Sequence, residues 1–165
     1  MSIETQIENQ IRTLMLADES FDTLQVIYRG VTVGDVPTMY YPYAEVSIMT
    51  WKSLRVLTGN RREREYGGQI RFWMLHQDLP EVIDRAADID SYLVIQQFLK
   101  AVDVLLGSST NKTLGGLTFS DPVGRVTKFE LISGVYGIDD RTERQTSLDN
   151  FGLVDFIVTT LEDFN

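Results

Sequence analysis

The stretch from Tyr43 to Gln77 constrains this chain most: two runs patterned like strands flank a centre made almost wholly of Arg and Glu. On the first side Ala44, Val46 and Ile48 alternate with Glu45 and Ser47, the period-two signature of a strand with one buried face. The extended pattern continues from Thr50 to Leu57. On the other side Gln69 to Gln77 carries Ile70-Arg71-Phe72-Trp73-Met74-Leu75. Between them Thr58-Gly59-Asn60 and Gly67-Gly68 bracket Arg61, Arg62, Glu63, Arg64 and Glu65. Glycine at both ends supplies unusual dihedrals, and an all-charged centre cannot be a core, so this pattern predicts a β-hairpin with a long charged tip.

A hairpin alone cannot bury its apolar face, so the rest of the chain must cover it. Ser2 can cap a helix with Glu4 in its first turn, and Ile3, Ile7, Ile11 and Leu14 form one stripe along it. From Leu24 to Val33 β-branched residues take over, and Tyr40-Tyr41-Pro42-Tyr43 leads into the first long strand. Asp78 with Pro80 marks a second helix start and Gly107 its end. Two stripes run along that span, Val82/Ala86/Ile89/Leu93 and Tyr92/Ile95/Leu99/Val102/Leu106, turned by about a third of a circle at ~100° per residue. One straight helix cannot lay both on a flat sheet, which predicts a bend or break within Asp88-Ile89-Asp90-Ser91.

After a polar loop from Ser108 to Gly116, strands are expected at Leu117 to Ser120, Val126 to Tyr136 and Phe151 to Leu161. Gly137 to Asn150 joins the last two. It holds Asp139, Asp140, Arg141, Glu143 and Arg144 with almost nothing apolar, which predicts a second projecting arm. The expected fold class is α+β: a largely antiparallel sheet packed against an N-terminal helix and a bent or broken central helix, with projecting charged loops. Strict βα alternation is missing, which disfavours a doubly wound nucleotide-binding fold. One domain is expected over residues 1–165, since a chain of this length buries about two thirds or more of its unfolded surface in one core.

The chemistry available is narrow. No cysteine is present, which removes disulfides, thiolate metal sites and thiol catalysis and fits a reducing compartment. Histidine occurs once, His76 at a predicted strand end, where a structural role is the ordinary one. Asp84, Asp88, Asp90 and Asp103 are the obvious carboxylates. Asp88 and Asp90 stand two apart on a helix and point in different directions, and a calcium loop read from Asp88 puts Leu93 and Leu99 where glycine and glutamate belong. Walker-type phosphate loops and serine nucleophile elbows are missing as well. No catalytic, cofactor or metal residue is therefore expected. The first twenty residues have no basic segment followed by an apolar run, and no stretch approaches the ~20 apolar residues of a span, so neither a signal peptide nor a membrane anchor is expected.

Charge is informative where it breaks pattern. Lys and Arg total 15 against 24 Asp and Glu, a formal net charge of -9, which argues against a surface that seeks nucleic acid. Yet residues 51–72 gather Lys52, Arg55, Arg61, Arg62, Arg64 and Arg71 against Glu63 and Glu65. As a functional feature this is a basic hairpin arm for DNA phosphate or an acidic neighbouring subunit; as a bland one it is a solvated hairpin whose charges guard a strand edge. In a ring of identical subunits such an arm can meet the acidic loop at Asp139 and Asp140, or the helix near Asp84 and Asp88, of the next copy.

The stripe Ile3/Ile7/Ile11/Leu14, the strand Tyr43 to Thr50, the hairpin ending in Gly67-Gly68-Gln69-Ile70-Arg71-Phe72-Trp73, the helical span after Asp78 and the closing Phe151-Gly152-Leu153-Val154-Asp155-Phe156-Ile157 form a pattern over nearly the whole chain. In this pattern the chain resembles the tail terminator, or tail completion, proteins of long-tailed bacteriophages, small α+β domains that assemble as hexameric rings. The resemblance implies a subunit that caps the tail tube at full length, ends its polymerisation and offers its other face to the head connector, with no catalytic residues and no cofactor. It assigns Arg61, Arg62, Arg64, Asp139, Asp140, Arg141 and Arg144 to contacts with subunits, tube protein or connector. It also implies a virion protein of the tail–neck junction, made in the host cytoplasm, through whose lumen DNA slides without specific binding. Outward carboxylates along that lumen would repel phosphate. Two other readings compete: a different neck or head-completion (stopper) subunit, and a DNA-binding or metal-dependent DNA-processing protein using the arginine hairpin with Asp84, Asp88 or Asp90.

Overall fold

The computed structural model describes residues 1–31, 42–75, 85–139 and 149–164, and within these the backbone alone for 75, 85–93, 136–139 and 149–150. His76, the Tyr40–Tyr41 pair, the Asp78/Pro80 helix start and Asp84 lie outside the described residues.

Helix α1 spans Ile3–Leu16, and the side chain of Ser2 caps it by accepting from the Thr5 amide at 3.2 Å. Ile3, Ile7, Ile11 and Met15 recur at helical spacing, and all four are buried. A 3-10 turn at Glu19–Phe21 places Phe21 in the same core. The strands are β1 (Val26–Arg29), β2 (Tyr43–Val56), β3 (Arg61–Leu75), β4 (Thr118–Ser120), β5 (Val123–Asp139) and β6 (Asp149–Asp163), with helix α2 (Arg85–Leu106) between β3 and β4. They form one sheet in the order β1-β2-β3-β6-β5-β4, antiparallel throughout except for the parallel β1/β2 pair. The α+β class, the element order and the largely antiparallel sheet are those the patterning predicts.

One face of the sheet carries both helices. Along β3, Tyr66, Ile70 and Phe72 are buried, and opposite them on β6 so are Val158 and Val154. Phe72 stacks on Phe98 of α2 at 5.1 Å between centroids and on Phe21 at 6.1 Å, which ties β3, α2 and the 3-10 turn into one cluster. Each such side chain, fully buried, contributes about 1.5–3 kcal/mol of transfer free energy. Gly68 and Gly152 complete the packing by what they lack. A Cβ at Gly68 would sit 2.6 Å from the Ser47 carbonyl oxygen and closer still to the Phe156 ring; one at Gly152 would sit 2.7 Å from Ile95 Cγ2.

Three expectations are corrected. The segment Arg61–Glu65 is not a tip: it is the first third of β3, with β2 on one side and β6 on the other. The turn is Thr58-Gly59-Asn60, closed by the Leu57 amide on the Arg61 carbonyl at 2.9 Å, with Gly59 at φ +76°. Charge blocks a core but not a strand: Arg61, Glu63, Arg64 and Glu65 each meet an opposite charge across the sheet, and Arg62 lies over the Phe164 ring. The central helix, in turn, runs unbroken through Asp88-Ile89-Asp90-Ser91. Neither Pro nor Gly stands there, so no backbone donor is removed and nothing forces a break. The stripe that docks on the described core is Ile95, Phe98, Val102 and Leu106. Asp139 likewise belongs to β5 rather than to a loop, since β5 and β6 pair as far as Asp139 and Asp149.

Candidate functional site

The sequence-predicted contact residues fall at opposite ends of the sheet. Arg61 pairs with Asp163 where β6 ends, whereas Asp139 pairs with Asp149 where β6 begins. At ~3.3 Å per residue these ends are roughly 45 Å apart. Asp140, Arg141 and Arg144 lie outside the described residues, as does the side chain of Asp139.

At the β2–β3 turn end, alternation along β3 sends the charges to two faces. Glu63, Glu65 and Arg61 stand on the helix-free face, where Arg55 pairs with Glu63, Lys52 with Glu65 at 2.6 Å, and Arg61 with Asp163 at 2.8 Å. Farther along the same face Arg71 lies 4.0 Å from Glu45 and bonds Gln69, Gln69 donates to Asp155 at 2.9 Å, Ser133 donates to Asp155, and Lys128 meets Glu130 at 2.6 Å. Acid and base are interleaved on this part of the face, which is locally balanced and not a carboxylate lining, whereas toward the start of β2 the same face is buried and aromatic, with Tyr43 stacked on Trp73 and Trp73 against Phe151.

Arg62 and Arg64 turn to the other face. The Arg64 guanidinium lies 4.9 Å over the Trp51 ring and 4.6 Å over Phe164, and Arg62 lies 4.9 Å over Phe164. Beneath this stack sits Glu162, wholly buried, which accepts from the Tyr66 hydroxyl at 2.8 Å and from the Thr160 hydroxyl at 2.7 Å. Arg64 Nη1 stands 3.5 Å from Glu162 Oε2, a charge contact that leaves this oxygen and Arg64 Nε without hydrogen-bond partners among the described residues. Burial first, and then the hydrogen bond to Glu162, push the Tyr66 phenol far above its ordinary range. Removing either the buried carboxylate or the stacked guanidinium would strand the other charge at this corner of the sheet. Of the predicted contacts, Arg61 and Arg62 are exposed while Arg64 is part of the fold.

Both outer edges of the sheet are half open. β1 pairs with β2 only from Tyr43 to Val46, and the Glu8 carboxylate takes the next outward amide, Ile48, at 2.9 Å. From Met49 to Val56 the outer edge of β2 has no strand partner among the described residues, and it carries Met49, Trp51, Leu54 and Val56, 43–69% exposed. On the far side β4 covers β5 from Val123 to Arg125, and carbonyls of Leu117 and Lys112 take the amides of Val126 and Phe129. Beyond Glu130 the β5 edge is unpaired by any described strand, with Ile132 and Val135 exposed. Beside it a cleft of about 220 Å³ opens between α2 and β5, lined by Leu99, Asp103, Leu131, Gly134 and Val154 among others. No group of three or more metal-ligating side chains occurs among the described residues, where Asp88 and Asp90 are known by backbone only.

This architecture is found in a solved virion. A chain titled "Virion of native gene transfer agent (GTA) particle" matches 99% of this chain over 100% of its own, with a TM-score of 0.51 at 12% identity. The two share a fold from end to end. The sequence itself matches no protein-family model and no curated protein.

Sequence reasoning missed the open edges and the Glu162 corner. The edges depend on which strands β1 and β4 reach, a non-local matter. Glu162 had one local signal: in Thr160-Leu161-Glu162-Asp163 it stands at the even, core-facing register of β6, in phase with Phe156 and Val158.

Proposed function

We infer that this chain is a non-enzymatic structural subunit of a phage-like virion. Within that class it acts as a tail terminator: a hexameric ring that caps the tail tube, ends its polymerisation and presents a docking surface to the head connector at the tail–neck junction. The observation that supports the reading is the end-to-end fold match to a virion chain, in a molecule whose described sheet leaves parts of both outer strands without a strand partner. An unpaired edge with exposed apolar side chains is a liability for a lone domain and an asset for an assembling one. The helix-free face suits a lumen for DNA by another route than simple repulsion. Its exposed acids are neutralised beside bases, so phosphate meets neither a sticky surface nor a strongly repelling one.

The test is capping. Purified protein added to purified tail tubes should appear in negative stain as a density at one tube end and stop further elongation. Tubes that keep growing, with no bound protein, overturn the reading.

A further inference from the structure

We propose that the outer half of β2 in one copy pairs, antiparallel, with the outer half of β5 in a second copy, so that the sheet continues from subunit to subunit. The inference deepens the ring reading above and rests on it for its occupant. Its grounds are the two edges left open among the described residues, their lengths, their directions and their side chains.

The segments without a described strand partner are similar in length, Met49 to Val56 on β2 and Leu131 to Asp139 on β5. Three antiparallel steps separate the strands, from β2 to β3 to β6 to β5, so β2 and β5 run in opposite senses. A copy rotated about an axis near the strand direction therefore brings β2 to β5 antiparallel. The contact uses different surfaces on the two partners, the kind that closes rings. A contact between like edges would stop at a dimer.

The geometry closes in a second way. Gly134 on β5 is level with Val154 on β6, Ile70 on β3 and Val46 on β2. Setting the two open halves side by side shifts the next copy along the strands by about six residues, roughly 20 Å at ~3.3 Å per residue. The repeat that shifts is four strands wide, because β1 and β4 lie outside the paired halves, and at ~4.8 Å per strand it spans roughly 19 Å. Equal shift and width correspond to strands tilted by about 45° to the ring axis, the upper end of the range in closed sheets. Register shifts at Ile48/Thr50 and Ser53/Arg55 on β2, and at Val126/Lys128 and Leu131/Ser133 on β5, bend both edge strands. Closure needs that curvature.

Side chains agree with the pairing. In this register Ser53 stands opposite Gly134 and Lys52 opposite Val135, which keeps the helix-bearing faces of both copies on one side. Trp51, 57% exposed, then lies beside the cleft between α2 and β5, and the exposed Arg55 comes toward Glu130.

The absence of cysteine makes a clean test possible. Ser53→Cys and Gly134→Cys are made singly and together, each at an exposed position, and a Cβ at Gly134 meets nothing nearer than 3.9 Å. Within one chain the two sites are roughly 25 Å apart by strand spacing and rise, too far to bridge. A short bismaleimide, tolerant of a two-residue slip, should give the purified double variant a ladder of covalent multimers that ends at the ring, with both single variants remaining monomers. Dimers from a single variant, or a double variant that stays monomeric, overturn the pairing. Such a monomer that still caps tubes sinks the pairing and leaves the capping reading intact. A ladder from protein that ignores tubes does the reverse.

Discussion

The Tyr66 hydroxyl donates to the buried carboxylate of Glu162 at 2.8 Å, joining the middle of β3 to the last turn of the chain's path through β6. Both residues are almost wholly buried, so the bond has no water to replace it. Tyr66→Phe is expected to cost about 1.5–3 kcal/mol, the range for a hydrogen bond to a charged group whose loss leaves the partner buried. Urea denaturation followed by tryptophan fluorescence measures it. Glu162→Gln, which keeps an acceptor for the phenol, should retain part of that bond while leaving Arg64 without its counter-charge.

The same pair sets a pH dependence. Burial, and then the hydrogen bond to Glu162, raise the folded-state pKa of Tyr66 above its ordinary value of 10.0, so the folded protein holds a proton that the unfolded chain releases. Its contribution is fully present below about pH 10 and is lost as pH rises from there toward the folded value. Stability measured from pH 9 upward should therefore fall more steeply in the unmodified protein than in Tyr66→Phe. Equal slopes would show that the phenol is not held by Glu162.

Charge reversal separates two arginines that the sequence presents as equivalent. Arg61 is 58% exposed and meets Asp163 at the strand end, so Arg61→Glu should cost no more than about 1 kcal/mol. Arg64 is 19% exposed, stacked between Trp51 and Phe164, and stands against a buried carboxylate. Arg64→Glu sets two acids together there and should cost about 3–5 kcal/mol, the range for stranding a buried charge. Thermal melts of the two variants decide it.

These contrasts mark what was legible in the sequence. Helix α1 and the strands around Val46 and Phe156 follow from local periodicity, because each buries one face and repeats accordingly. Arg62-Glu63-Arg64-Glu65 is also periodic, with period two, but in charge rather than hydrophobicity. It reads as a tip until the partners on β2 and β6 are known, and those partners lie up to 102 positions away. The helix showed the opposite fault: two apolar stripes implied a break that the backbone, free of Pro and Gly, does not make. Of the expected contacts, Arg61 and Arg62 are surface residues as read, and Arg64 is not.

Gly68 gives the last prediction, because close approach rather than turn geometry explains it. Bracketing glycines suggest a loop, yet Gly68 sits mid-strand opposite Ile48 and Phe156, with the Phe156 ring packed over its Cα. A methyl group there would push into backbone at Ser47 and into a ring already stacked on Phe129 at 5.5 Å, neither of which has room to yield. Gly68→Ala should therefore destabilise by about 1–3 kcal/mol or more, as overpacking does. Gly134→Ala, in open space on β5, should be nearly silent. A chemical denaturation series on the two variants tests this directly. A silent Gly68→Ala would mean that β2, β3 and β6 do not pack in this register, and the placement of the open β2 edge would fall with it.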